Sequence, residues 1–407
     1  MHRSKCLLWT WVLFFATEIL ITSSLFAQLS PNTDLATTFD YYEMRRELNP
    51  RVLETIDQGL RWLEIQQGSD GLFHNHPGIT ALAITAFLKH PEGKYSETTH
   101  KFIKKSIEAL IKLKQDDGGI YDLTKQPALP NYNTSVSVMA LAATKNSDYD
   151  SIIKEAQNFI KGQQMTDDPN DRYYGGIGYG SRSDVYDLSN LTYAIQALKD
   201  SGDDDDEVWR KAVQFLERCQ NRSESNDREW AGDDGGFVYA PTGESKAGGT
   251  KSYGSMTYAG LLSFVHAKVD STDPRVEAAY DWIRNNYRVD ENPGMDQQGL
   301  YYHYHTMAKA LSAYDKTKGG SLTDAQGQIR FWFKDLAEKL IERKIADQLT
   351  AKKDIPDPAN SDQLLFKKGE NVELAYWRND NSRWMERDTV LVTAYAILAL
   401  EAGLRPE

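Results

Sequence analysis

Along residues 100–114 the apolar positions Phe102, Ile103, Ile107, Leu110 and Ile111 recur at three- and four-residue spacing, while lysines and Glu108 fill the other face. That is the period of a helix burying one stripe and wetting the rest. A second kind of segment is apolar or small almost all round, as in "ITALAITAFL" at 79–88 and "TVLVTAYAILAL" at 389–400. Such a helix has no face for water and must be buried on every side. The two kinds alternate along the chain. The pattern therefore predicts an inner set of buried helices inside an outer set of half-exposed ones, with little strand.

The alternation is a repeat. Each unit reads as an amphipathic helix, a turn bearing Gln and Asp, a Gly-Gly or Gly-apolar pair, then a buried helix. "IEALIKLKQDDGGIY" at 107–121 followed by "NTSVSVMALAA" at 133–143 is the clearest copy. Others begin near residues 59, 156, 212 and 278, and a sixth, from 331, is split by a long polar insertion. Gly118-Gly119, Gly175-Gly176 and Gly235-Gly236 can take positive φ for the sharp return between antiparallel helices. Asp117 and Asp234 can bond turn amides. Acids that recur from unit to unit are structural before they are catalytic. Six hairpins can close into a barrel or run on as an open solenoid. Closure is expected, because neither end carries a clear polar cap.

The bulk composition changes this picture only at its edges. The chain has 407 residues, 40% of them hydrophobic, 26% charged and 11% aromatic, with 22 tyrosines and 9 tryptophans. A net charge of −12 argues against a nucleic-acid partner. Arg3 and Lys5 precede an apolar run to about Leu20, and Leu25-Phe26-Ala27 offers a cut before Gln28. Residues 1–27 are thus expected to be a signal peptide, 28–48 a linker and 49–407 one domain, secreted or periplasmic. Retention of the apolar run as an anchor is the alternative. Only Cys219 remains beyond that segment, so no intramolecular disulfide is expected and the fold must rest on its core.

The repeated Gln-containing helical hairpins resemble the repeats of the terpenoid cyclase and protein prenyltransferase superfamily, over most of residues 50–405. The resemblance implies an all-α (α/α)6 toroid of six helical hairpin repeats, with the N-terminal ends of the inner helices facing a central cavity. It implies fold more strongly than activity. Where class II cyclases of that kind carry Asp-x-Asp-Asp-Thr, this chain has "MERDT" at 385–389, with Arg387 at the proton-donor position; a guanidinium cannot serve there. "YHT" at 304–306 matches one half of the prenyltransferase zinc motif, but Tyr253 and Ser255 stand at the place of the carboxylate and thiolate. His303 and His305, two apart, would point to different sides of a helix. No metal and no cofactor is therefore expected. The complement-type Cys-Gly-Glu-Gln is absent too: 218–221 reads "RCQN".

The residues at or near the starts of the inner helices are the ones to examine. Asp187, His305 and Asp184 are the candidate catalytic groups. Asn133, Tyr253, Tyr258, Tyr302, His303, Arg387 and Asp388 are the candidate cavity residues. In a closed ring all such starts point to one end of the axis, so Asp187, His305, Tyr253 and Arg387 are expected to meet, with Arg387 facing Asp184 and Asp187. The plainer alternatives are an ordinary N-cap for Asp187 and a hydrogen-bonded helix-start imidazole for His305. The expected function is binding of a small or chain-like ligand, isoprenoid or carbohydrate, with chemistry of cyclase or prenyltransferase type if the chain is an enzyme. A non-catalytic binding or interaction scaffold and an α/α-barrel polysaccharide lyase or hydrolase are the alternatives.

Overall fold

A computed structural model describes residues 35–180, 185–314, 320–350, 355–357, 360–366, 369 and 371–404. The expected signal peptide and Asp184 lie outside the described residues. The chain divides into residues 1–47 and 48–407. In the first part, residues 35–47 belong to helix α1 (Leu35–Glu64), so the described residues of the stretch expected as a linker are helical, and 28–34 lie outside the described residues. Nothing in "LATTFDYYEMRREL" breaks a helix before Pro50.

Among the described residues of the second part, eleven further α-helices dominate. Five are the amphipathic kind: α3 (Lys101–Ile111), α5 (Asp150–Gly162), α7 (Asp206–Glu217), α9 (Pro274–Asn285) and α11 (Trp332–Arg343). Six are the buried kind: α2 (Pro77–Leu88), α4 (Pro130–Thr144), α6 (Leu188–Asp200), α8 (Gly254–His266), α10 (Leu300–Tyr314) and α12 (Thr389–Leu404). The buried helices pack in chain order, α2 on α4, α4 on α6, α6 on α8, α8 on α10 and α10 on α12, and α12 packs on α2. Each of α3, α5, α7 and α11 lies outside, against the two buried helices it connects. Residues 345–376 carry the sixth unit's polar insertion as two antiparallel strand pairs, Ile345–Thr350 with Asn371–Tyr376 and Ile355–Asp357 with Asn360–Phe366. No helix among the described residues is long and apolar enough to cross a membrane.

Three small devices recur among the units. Just after α5 and after α7 a buried Gln bonds two carbonyls at once. Gln164 Nε2 donates to Gly175 O (3.0 Å) and Val208 O (3.1 Å), and Gln220 Nε2 to Gly235 O (2.9 Å) and Arg275 O (2.8 Å). It thereby ties its own turn to the first residues of the next outer helix. The first glycine of each pair takes positive φ; at Gly235, with φ +82°, a Cβ would lie 2.4 Å from Ala278 O. The residue after two of the pairs is held by a threonine of the inner helix, Ile120 N to Thr134 Oγ1 (2.9 Å) and Phe237 N to Thr257 Oγ1 (3.1 Å). Trp377 N bonds Thr393 Oγ1 in the same way (3.1 Å), so the chain returns to the repeat directly after the strand insertion. Cys219 is fully buried, and its amide donates to Leu216 O.

Candidate functional site

Six inner helices present six N-termini whose first amides lack partners inside the helix. The sequence supplies an acceptor for most of them. His76 caps α2 through Ile79 N (3.3 Å). Asp187 caps α6, its carboxylate accepting Asn190 N (3.0 Å), Ser189 Oγ (2.7 Å) and Asn190 Nδ2 (2.8 Å). Asn292 Oδ1 reaches across to Ser255 N in α8 (2.9 Å). Asp388 accepts Val390 N (2.9 Å) and Leu391 N (3.0 Å) of α12 and pairs with His74 Nδ1 (2.6 Å).

Helix α10 has no such residue of its own. Glu386, 1% exposed, comes from the segment before α12 and accepts Tyr302 N (2.8 Å) and Asn379 Nδ2 (2.6 Å), with further bonds from the backbone of Tyr301 and Leu300. Burial outweighs these bonds and pushes its carboxyl up to about 7. Burial likewise raises Asp187, against the bonds it accepts from Asn190, Ser189 and the Tyr239 hydroxyl.

Between these ends lies a cavity of about 260 Å³ to which all six inner helices contribute, with Ile79, Tyr132, Tyr193, Met256, Tyr302 and Tyr395. Tyr179 and Tyr239 complete the wall from the loops, their hydroxyls 3.0 Å apart. At the floor the Tyr395 hydroxyl lies 2.9 Å from that of Tyr193 and 3.5 Å from that of Tyr132. Burial raises the pKa of these phenols, so they stay protonated. The Tyr302 hydroxyl is buried and has no hydrogen-bond partner among the described residues. Trp384 and Met385 stand at the wall and are exposed on their other side, both at positive φ. The Trp384 ring presses on Gly299, where a Cβ would meet it at 2.9 Å.

The expected residues divide. Tyr253 and Tyr302 line the cavity; Asp187 sits behind the wall, bonded to Ser189, Asn190 and Tyr239, which line it. Asp388 caps α12 outside the wall. Asn133 is buried with its amide on Ala128 O (2.8 Å), and Tyr258 packs edge-on against His303 between α8 and α10. Arg387 is exposed and turned to Asp380 O, so it does not face Asp187. The neighbouring position takes the inward place, because Glu386 is the acceptor that α10 needs. His305 also lies away from this cavity. The helix starts at Leu300, earlier than "HYHTMAKALSAY" implies, and at about 1.5 Å of rise per residue His305 falls a turn further down the axis. Burial drives His303 down to about 3 and holds His305 well below the ordinary imidazole value, where Lys309 and Lys89 add to the effect. Glu386 was missed in the sequence. The available sign was the uncapped start "QGLYY", which demands an acceptor from elsewhere.

No protein-family model matches this chain, and no curated protein matches it. Among solved structures it is similar to the type II terpene cyclase MstE from Scytonema. One MstE structure, a variant with merosterolic acid A as product, is 12% identical, with a TM-score of 0.48, over 89% of this chain and 99% of that one. Another, a variant with the substrate geranylgeranyl dihydroxybenzoate, is 13% identical, with a TM-score of 0.49, over the same shares.

Proposed function

We propose that residues 49–407 form an (α/α)6 toroid of six hairpin repeats, exported by the segment 1–27, whose tyrosine-lined cavity binds a small or chain-like isoprenoid. The observation that carries this reading is the wall itself. Six inner helices deliver aromatic and aliphatic side chains to one space, while most of the polar atoms there are already bonded to each other. A site of that kind takes an apolar ligand and uses its few remaining polar groups for orientation. The Tyr302 hydroxyl is such a group, suited to a single oxygen on the ligand. The engaged hydroxyls speak against a carbohydrate, which needs many free partners. Glu386, titrating near neutrality, suits proton exchange with a bound oxygen function and is too weak an acid to protonate an alkene.

The test is thermal unfolding and tryptophan fluorescence with farnesol, geranylgeraniol and maltotriose. The isoprenoid alcohols should raise the melting temperature saturably. Tyr302→Phe should weaken their binding while leaving the unliganded melting temperature near that of the parent. Stabilisation by maltotriose alone, or by none of the three, would refute the isoprenoid reading.

A further inference from the structure

A second cavity, of about 290 Å³, lies toward the C-terminal ends of α2, α4 and α12, with Leu88, Met139, Leu398 and Ala402 in its lining. It begins where the tyrosine cavity stops. On α10 Tyr302 lines the first cavity and His305 the second; on α12 Tyr395 lines the first and Leu398 the second. The members of each pair are three residues apart, about 4.5 Å of rise along a helix. The Tyr395 ring reaches both levels, 6.1 Å from the Tyr302 ring and 5.3 Å from the His305 ring. Its hydroxyl is held by those of Tyr193 (2.9 Å) and Tyr132 (3.5 Å). Tyr395 comes from α12 and Tyr193 from α6, which do not adjoin in the packing order of the buried helices. The two side chains therefore meet across the interior, and the second cavity continues the first with this tyrosine layer in between.

We propose that Tyr395 sets the length of the chain that the tyrosine cavity admits, by shutting off the second cavity. The inference rests on the isoprenoid reading of the first. A ligand entering at the N-terminal ends of the inner helices stops at the contact between Tyr395 and Tyr193, and only the carbons above that contact are buried. Each methylene buried in an apolar space adds about fourfold to affinity, and one left outside adds almost nothing. Removing the ring extends the path along α12 from Tyr395 to Ala402, roughly 10 Å at the rise of a helix, over Leu398 and Met139. The two hydroxyl contacts serve to hold the ring in that place.

The test is tryptophan-fluorescence titration of the full chain, with Trp384 at the wall as reporter. The ligands are primary n-alkanols from hexan-1-ol to tetradecan-1-ol, then farnesol and geranylgeraniol. In the parent, affinity should climb about fourfold per carbon and then stop climbing at one chain length. In Tyr395→Leu, the milder truncation, the climb should continue past that length, with tetradecan-1-ol bound at least about tenfold tighter than by the parent. Tyr395→Ala should act in the same direction. Tyr395→Phe keeps the ring and should keep the limit, whatever it costs in affinity. Ala402→Phe refills the second cavity, so adding it to Tyr395→Leu should bring the limit back; a general loosening of the fold would not respond to it. No limit in the parent within this series, or the same limit in Tyr395→Leu, overturns the proposal even where farnesol binds. A limit that moves with Tyr395 while neither isoprenoid binds overturns the isoprenoid reading alone.

Discussion

Glu386 does two things that conflict. It satisfies the amides at the start of α10, which favours the carboxylate, and it is almost fully removed from water, which favours the acid. The acid wins ground, and the pKa rises from the ordinary 4.5 to about 7. The linkage follows directly. Between those two values the folded chain holds a proton that the unfolded chain has released, so stability falls as pH rises through this window. Fully developed above pH 7, the loss is about 3 kcal/mol, since each tenfold gain in proton affinity is worth about 1.4 kcal/mol. Glu386→Gln removes the titrating group. Urea unfolding at pH 5 and pH 8.5 should therefore show a smaller drop in the variant than in the parent. An equal drop in both would show that the carboxyl does not titrate in this window. At this scale the site was only partly legible. Asp187 and Tyr253 could be placed because they directly precede an inner helix. Glu386 and His305 could not, because their positions depend on where α10 begins, and Gly299 with its positive φ sets that start without a capping side chain of its own.

At the scale of the hairpin, the recurring Gln67, Gln164 and Gln220 make like bonds, while Gln115 bonds Leu113 O and Tyr121 O instead. Gln164 and Gln220 recur because the same two carbonyls, one in the unit's own turn and one in the next outer helix, need the same donor. Gln220→Leu keeps the bulk and leaves Gly235 O and Arg275 O without that donor, which should cost about 2–4 kcal/mol by chemical denaturation. A loss under about 0.5 kcal/mol would mean that water replaces the amide there. Gly235→Ala adds a Cβ at positive φ, 2.4 Å from Ala278 O, and should cost about 3 kcal/mol or more. The glycine pairs were expected to supply positive φ, and only the first of each does so. The second is needed for room: a Cβ on Gly236 would meet Ser252 at 2.5 Å and Trp282 at 2.8 Å. Such a distinction depends on what packs over the turn, which periodicity does not contain. The strand pairs at 345–376 were likewise out of reach, since that polar stretch shows no alternation against a core.

For residues 48–407, the contact between α12 and α2 is the decisive one for the proposed toroid, because it sets the last buried helix against the first. In an open solenoid the end unit meets one neighbour, and its loss leaves a shorter stable array. Here α12 packs on both α10 and α2, and its Leu391 and Tyr395 complete the tyrosine cavity. Removing it uncovers apolar faces on two helices and opens the floor where Tyr395 meets Tyr193. A chain ending at residue 386 should therefore lose cooperative unfolding altogether, with weak near-ultraviolet dichroism and strong binding of a hydrophobic dye, while the full chain melts in one transition. The measurement is a pair of thermal scans followed at far- and near-ultraviolet wavelengths. A truncated chain that still melts sharply, at a temperature lowered by only a few degrees, would show that the units act as a linear array and that ring closure contributes little.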